Sequence, residues 1–392
     1  MTLDHPRIGI LGTGDAAALH AEHFRAAGAH VEWVSGRTPE RGAEFARRWD
    51  VGSVVDDVHA MLEQGPDAVV VATPSDLHAE QVRPCLQAGI AVLCEIPLAT
   101  SLPDLEELAQ LDHDTPAPLM VAHTLRFDPA HRRLAAELTD TAVRHLVARR
   151  MMLRQSDTGW LRPHRSWTDD VLWHHGAHEV DRARWLLGAE GDVPLRVAGV
   201  VGPVWPGSGR PMDVSATLAT DDGQLASLVL SYHSRAKAVD LTVVAEDHTW
   251  RLVDGSLWRD DEQLIEADPQ RWEMDTIGIQ DASFVAALRS GAPVSSSSAD
   301  DAPAGMGAPL TPGSSMTGTP SSGSARPLGS GDIARLPSGG SITAGYGDST
   351  TPGSGRAVSP LGATMSPGST EALAAGEVLD QLTRNSTWAD PA

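Results

Sequence analysis

Short apolar runs alternate with amphipathic stretches over the first 124 residues. Arg7 to Leu11, His30 to Ser35, Asp67 to Ala72, Ala91 to Glu95 and Leu119 to His123 each hold an apolar run of strand length. Helical patterns run to about Ala27, over Ala79 to Ala88 and over Leu102 to Leu111. Strands alternating with helices at this spacing predict a doubly wound parallel sheet, with ligands outside the carboxyl ends of its strands. Beyond residue 124 the pattern changes. Val143–Leu153, Leu195–Val204, Met212–Ala219, Leu225–Ser231, Val239–Ala245 and His248–Val253 read as strands, with turn signals at Asp221-Asp-Gly223 and Asp254-Gly255. They predict an antiparallel meander in a large open sheet with one face left to cover, which suits a homodimer or homotetramer.

The first strand runs into Gly12-Thr13-Gly14-Asp15-Ala16-Ala17 and then a helix. Gly-x-Gly-x-x-Ala in that setting is a dinucleotide-binding turn, with pyrophosphate expected at the helix N-terminus. The fold class is therefore α/β, an N-terminal Rossmann doubly wound parallel sheet plus a C-terminal α+β domain with a large, mostly antiparallel open sheet. About 20 residues past the glycines, where an acid normally holds a ribose 2′-hydroxyl, the chain has Ser35, Arg37 and Thr38. A hydroxyl and an arginine there favour NADP over NAD. Thr73, Pro74, His78 and Glu95 fall near the carboxyl ends of the central strands, where the rest of the cofactor is expected.

The second focus is Arg165-Ser-Trp167-Thr-Asp-Asp-Val-Leu-Trp173-His174-His175-Gly-Ala-His178-Glu-Val-Asp181. His174 and His178 are i and i+4 on a helix, and Asp181 extends their face. Imidazoles with a carboxylate suit acid–base work near neutral pH. His-x3-His also chelates zinc, but no acid stands in the usual place and no third ligand is evident, so no metal is expected. Arg126 and Arg165 are candidates to bind a substrate carboxylate bidentately, and Trp167, Trp173 and His175 to line the pocket.

At 392 residues the chain has room for more than one core. The division expected is 1–124 for the cofactor, 125–295 plus a helix at 371–385 for substrate and oligomerisation, and a Ser/Gly/Pro-rich, disordered insertion at 296–369. A net charge of −22 argues against nucleic-acid or anionic-membrane partners and leaves a small-molecule substrate. There is no signal-peptide pattern and no membrane-length apolar run, and the two cysteines, Cys85 and Cys94, suit a reducing cytoplasm. Lys237 is the single lysine.

Taken together, Gly12-x-Gly-x-x-Ala17, Thr73-Pro-Ser-Asp-Leu-His78, Glu95-Ile-Pro97 and Gly176-Ala-His178-Glu-Val-Asp181 resemble the Gfo/Idh/MocA oxidoreductases. That resemblance implies a nicotinamide-binding Rossmann domain and an α/β domain that closes the substrate site and builds oligomers. It also implies a Glu-Lys-Pro lysine in catalysis, but here Ile96 stands in its place, which leaves His174 and His178 for proton transfer. Cys94 to Ala99, His123 to Pro129 and Arg165 to His178 look like a subgroup that uses NADP to oxidise a carboxylated cyclic hemiacetal. The alternatives are a sugar- or inositol-type NAD(P)-dependent dehydrogenase or reductase in biosynthesis, or a cofactor-binding regulator without catalysis.

Overall fold

The computed structural model describes residues 4–115, 117–154, 170–191, 193–206, 209–291 and 368–385. The 296–369 insertion expected from composition lies outside them, apart from Gly368 and Ser369 at its end.

The first sheet is parallel throughout. In chain order its part of the fold is β1 (Arg7–Leu11), α1 (Asp15–Ala26), β2 (His30–Ser35), α2 (Pro39–Trp49), β3 (Ser53–Val54), α3 (Val58–Glu63), β4 (Ala68–Val71), α4 (His78–Gln87), β5 (Ala91–Cys94), α5 (Leu102–Asp114) and β6 (Leu119–Val121). The strand order is β3-β2-β1-β4-β5-β6. Chain direction across the sheet reverses between β1 and β4, so the crevice for a ligand opens there. Both faces are covered, which is why β4 and β5 read as unbroken apolar runs, Ala68-Val-Val-Val71 and Ala91-Val-Leu-Cys94, with every residue buried. Phe24, Val34 and Phe284 pack on one face and Val82, Leu86 and Leu108 on the other.

A 3-10 turn at Thr124–Phe127 leads from β6 into α6 (Pro129–Glu137) and β7 (Val143–Leu153). A π-helical turn, Leu172–Gly176, opens α7 (Ala177–Leu186). Then come β8 (Arg196–Val201), the ribbon β9 (Val204–Trp205) and β10 (Arg210–Pro211), β11 (Asp213–Ala219), β12 (Leu225–Ser231), β13 (His233–Ala245), β14 (Thr249–Val253), β15 (Ser256–Arg259) and β16 (Glu262–Ile265), followed by α8 (Trp272–Ser290) and α9 (Ser369–Asn385). The second sheet has eight strands in the order β16-β15-β14-β13-β7-β12-β11-β8.

One pair departs from the expected antiparallel meander, because β7 and β12 are parallel. The cause is topological. The chain passes from β7 through α7 to β8 on the far edge, and two antiparallel returns, β8 to β11 and β11 to β12, bring β12 beside β7 in the same direction. Alternate residues of β12 point into a core with α7 and α9, as in Ala226, Leu228 and Leu230. The other face exposes Leu153, Val244 and Val253. Helix α9 packs on α5, α7 and β8, so it joins the two sheets. No described helix is long and apolar enough to cross a membrane.

Candidate active site

The glycine turn has the geometry a dinucleotide needs. Gly12 sits at φ +118°, and a Cβ there would lie 2.3 Å from the Ala72 carbonyl oxygen. Gly14 is the N-cap of α1, with no side-chain cap on that end. A Cβ at Gly14 would meet nothing within 4 Å, so the space at the N-terminal end of α1 is open. Thr13, Asp15 and Ala16 are half-buried around it, and Ala17 is fully buried. These residues fit a nicotinamide dinucleotide.

At the end of β2 the three candidate residues differ. Ser35 donates its hydroxyl to the Asp56 carbonyl at 3.0 Å, and the Thr38 hydroxyl caps α2 by accepting from the Arg41 amide at 3.4 Å. Arg37 is exposed. Of the three, only Arg37 presents a cation.

Glu95, just past β5, is held from behind. His20 on α1 is 1% exposed and lies between two carboxylates, with Nδ1 2.8 Å from Asp281 and Nε2 3.1 Å from Glu95. Burial opposes its charge, but Asp281 and then Glu95 outweigh burial and push it up to about 10. Burial would raise Glu95, but the bond from His20 prevails and holds it below the usual carboxylate range. Glu95 keeps 23% side-chain exposure, enough to present an ionised acceptor. His78 does different work from that expected. It is 1% exposed, its Nδ1 is 2.7 Å from the Pro97 carbonyl and its Nε2 2.9 Å from the Thr73 carbonyl. Both ring nitrogens are used to tie those two loops together, so His78 positions Thr73 and Pro97 and offers no atom to a cofactor. The Thr73 hydroxyl in turn donates to Gln81 at 2.6 Å, while Pro74 is exposed.

The histidines divide into two pairs. His174 packs edge-on against His175, centroids 4.6 Å apart, and His175 against Tyr232 at 5.1 Å. His178 instead meets His123, which follows β6, at 6.2 Å and an interplanar angle of 75°. The π turn is the local reason, because its wider winding displaces His174 and His175 from the α-helical row that His178 begins. His175 Nδ1, His178 Nδ1 and both nitrogens of His123 are buried without hydrogen-bond partners. Burial lowers His123, with Asp181 opposing only in part. Burial and then Arg150 hold His178 well below its usual value, and burial and then His174 do the same for His175. These three are neutral imidazoles at pH 7. Beneath them Arg150 donates to Glu179 at 2.7 Å, Glu179 also accepts from Arg182, and Arg182 reaches His131, which anchors α7 on its buried side.

The structure corrects the role expected of Arg126 and refines that of Asp181. Arg126 is 1% exposed and spends its guanidinium on the protein itself: Nε and Nη2 grip Asp181 at 2.9–3.1 Å, and Nη1 donates to Glu190 at 2.6 Å. It is therefore not available to a substrate carboxylate. Asp181 is ionised despite burial because Arg126 stabilises its charge, and its second oxygen lies 3.7 Å from His123 Nδ1. The imidazole it faces is His123, not His174 or His178. Trp173, with Pro97, Leu98, His123, Ala375 and Leu379, lines a small, mostly apolar cleft. Arg165 and Trp167 lie outside the described residues. Sequence reasoning missed His20, Asp281 and the α9 wall, and read His123 only as part of the His123–Pro129 run, with no role in the site. It missed Arg154 too, which donates to the Tyr232 hydroxyl at 2.8 Å. Among the described residues no three His, Cys, Asp or Glu side chains are grouped as metal ligands.

A Rossmann sheet with an open glycine turn, joined to a second, eight-stranded sheet by helices among which buried neutral histidines gather, defines a nicotinamide-dependent oxidoreductase. The comparisons agree. Residues 6–123 match the oxidoreductase family with an NAD-binding Rossmann fold, and residues 129–257 match the bacterial oxidoreductase C-terminal domain. The 4-carboxy-2-hydroxymuconate-6-semialdehyde dehydrogenase of Sphingobium sp. is 30% identical over 290 residues, covering 73% of this chain and 91% of that enzyme. The myo-inositol dehydrogenase Hyg17 of Streptomyces leeuwenhoekii is 30% identical over 194 residues, 47% of this chain and 56% of that enzyme. Among solved structures, UDP-N-acetylglucosamine 3-dehydrogenase GnnA from Acidithiobacillus ferrooxidans superposes with a TM-score of 0.63 at 24% identity over 74% of this chain and 91% of that one. GenD2 from gentamicin A biosynthesis, in complex with NAD, gives 0.67 at 16% identity, covering 100% of this chain and 96% of that one. The chain belongs to the Gfo/Idh/MocA oxidoreductase family and is an NAD(P)-dependent dehydrogenase.

Proposed function

We propose that the enzyme transfers hydride between NADP and a hydroxyl or cyclic-hemiacetal carbon of a small carboxylated substrate, with histidine as the acid–base group. The observation that carries the reading is His178, a buried imidazole held neutral next to a second one. A neutral imidazole accepts the hydroxyl proton as hydride leaves carbon. The bound nicotinamide supplies the hydride acceptor. Gly12, Thr13, Gly14, Asp15 and Ala16 hold the pyrophosphate on the α1 amides, and Glu95 accepts from a ribose hydroxyl. Pro97, Leu98 and Trp173 keep water out. His174 and His175 border the substrate on the Tyr232 side, where Arg154 supplies a cation for a carboxylate in place of Arg126. The 30% identity to a semialdehyde dehydrogenase over 91% of its length supports a carboxylated hemiacetal. The shorter matches to inositol dehydrogenases favour, as a second reading, an uncharged polyol.

Arg37 supports the choice of NADP, since among the three β2-end residues it alone offers charge to a 2′-phosphate. Fluorescence titration with NADPH and NADH tests it. Wild type is expected to prefer NADPH, and Arg37→Ala to lose roughly 10-fold or more of NADPH affinity, the 1.5–3 kcal/mol of a charge-assisted contact, with NADH unchanged. Preference for NADH by wild type overturns the assignment. We further take the exposed apolar face of the second sheet to be covered by a second subunit, and the two buried thiols to fit the cytoplasm.

A further inference from the structure

We propose that His123 is a second catalytic imidazole, which with His178 clamps the substrate's reacting oxygen. The inference rests on the proposed dehydrogenase reading and adds to it a residue that the sequence marked only as the start of the His123–Pro129 run.

His123 is 2% exposed, and neither of its ring nitrogens has a hydrogen-bond partner. A buried donor and acceptor left unsatisfied cost about 1–3 kcal/mol each, so such a ring is explained best by a ligand that completes it. The ring lines the cleft with Pro97, Leu98 and Trp173. It faces His178, whose Nδ1 is likewise buried and unpartnered. The spacing of the pair suits one shared oxygen. Two ring nitrogens each about 2.8 Å from the same oxygen, at roughly tetrahedral angles, place the ring centroids about 6 Å apart. The observed separation is 6.2 Å.

The chemistry of a hydroxyl fits two neutral imidazoles that play opposite parts. The substrate O–H donates its hydrogen to the unprotonated nitrogen of one ring, His178, and its lone pair accepts from the N–H of the other, His123. When the C–H bond breaks, its electron pair and hydrogen leave as hydride for the nicotinamide. The O–H bond breaks in the same event, its proton passes to His178, and the C–O bond becomes C=O. His123 keeps its proton and donates to the oxygen throughout, which steadies the negative charge that develops on it. The Asp181 carboxylate, 3.7 Å from His123 Nδ1, is beyond hydrogen-bond reach and is held by Arg126, so it does not claim the single ring proton that His123 donates to the substrate oxygen.

The test uses the full-length enzyme with NADP and two probes, 4-carboxy-2-hydroxymuconate-6-semialdehyde and myo-inositol, for wild type, His178→Ala, His123→Leu and His123→Gln. The NADPH affinity and the melting temperature of each variant are measured alongside, so that loss of fold is seen separately. On the probe that wild type turns over, His123→Leu is expected to lower kcat by about 100-fold, the usual cost of one donor to a developing oxyanion, with KM changed far less. His123→Gln, whose amide can still donate, is expected to recover about 10-fold of that loss, which a purely structural ring would not predict. Wild-type turnover with His178→Ala inactive and His123→Leu fully active overturns the clamp while leaving the dehydrogenase reading intact. Equal losses in the Leu and Gln variants that track a fallen melting temperature also overturn it. Cofactor binding with no turnover of either probe by wild type overturns the substrate reading and the clamp together.

Discussion

Replacing Arg126 by Met separates two roles that look alike in the sequence. In the structure Arg126 is a buried partner of Asp181, whose side chain is 3% exposed, and of Glu190. Removing the guanidinium leaves an interior carboxylate without the cation that grips both of its oxygens. Breaking one side of a buried ion pair costs about 3–5 kcal/mol, because the remaining charge keeps its desolvation penalty. At about 2–4 °C per kcal/mol for folding units of this size, the melting temperature should fall by roughly 6–20 °C. Arg126→Met with Asp181→Leu removes both charges and should recover about half of the loss or more, since an apolar pair of similar volume is tolerated where a lone charge is not. The assay is thermal and urea unfolding of the four members of the cycle, with substrate KM measured below the transition. A melting temperature unchanged in Arg126→Met, together with a KM raised 10-fold or more, would refute the ion-pair reasoning and restore Arg126 as a carboxylate receptor.

Two further outcomes follow from the site. His20 is pushed up to about 10 by its two carboxylates, so its contribution to stability is complete below its unfolded value of 6.5 and is lost as pH rises toward 10. His123, His175 and His178 are lowered, so their burial costs stability as pH falls below 6.5. Stability should therefore peak near pH 6.5. Urea unfolding between about pH 7 and about pH 8.5 should show an alkaline slope near 1.4 kcal/mol per pH unit that disappears in His20→Gln, and an unchanged slope in the variant counts against the Asp281–His20–Glu95 chain. The two turn glycines should respond differently. Gly14→Ala, with open space around the new methyl, should melt like wild type yet bind NADPH at least about 10-fold more weakly, because the methyl takes the room of the pyrophosphate. Gly12→Ala, clashing at 2.3 Å with the Ala72 carbonyl at a positive φ, should also lose stability. Unchanged NADPH affinity in Gly14→Ala would remove the turn as the pyrophosphate site.

The parallel sheet was legible because its strands are buried on both faces and because Gly12, at positive φ against the Ala72 carbonyl, marks a turn that few other residues permit. The sheet of alternating strands was legible for the same physical reason, a period of two, but β15 and β16, four residues each, are too short to show one. The parallel β7–β12 pair depends on where the α7 crossover lands, which no local pattern encodes. The site was readable as a set of residue types and not as a set of partners. His174 and His178 are i and i+4, yet the π turn pairs His178 with His123, 55 positions earlier, and His174 with its neighbour. Arg126 has the chemistry of a carboxylate receptor, and the carboxylate it meets is the protein's own. His20 sits on a helix that reads as an ordinary amphipathic segment, and only folding brings Asp281, 261 positions away, against it.

The most direct test of a histidine-driven, NADP-dependent dehydrogenase is the rate of NADP reduction with 4-carboxy-2-hydroxymuconate-6-semialdehyde, wild type against His178→Ala, at saturating cofactor. Turnover by wild type is expected, with a loss of at least about 100-fold in kcat for the variant, the usual share of general acid–base catalysis, and NADPH affinity unchanged. Wild-type rates retained by His178→Ala would contradict it.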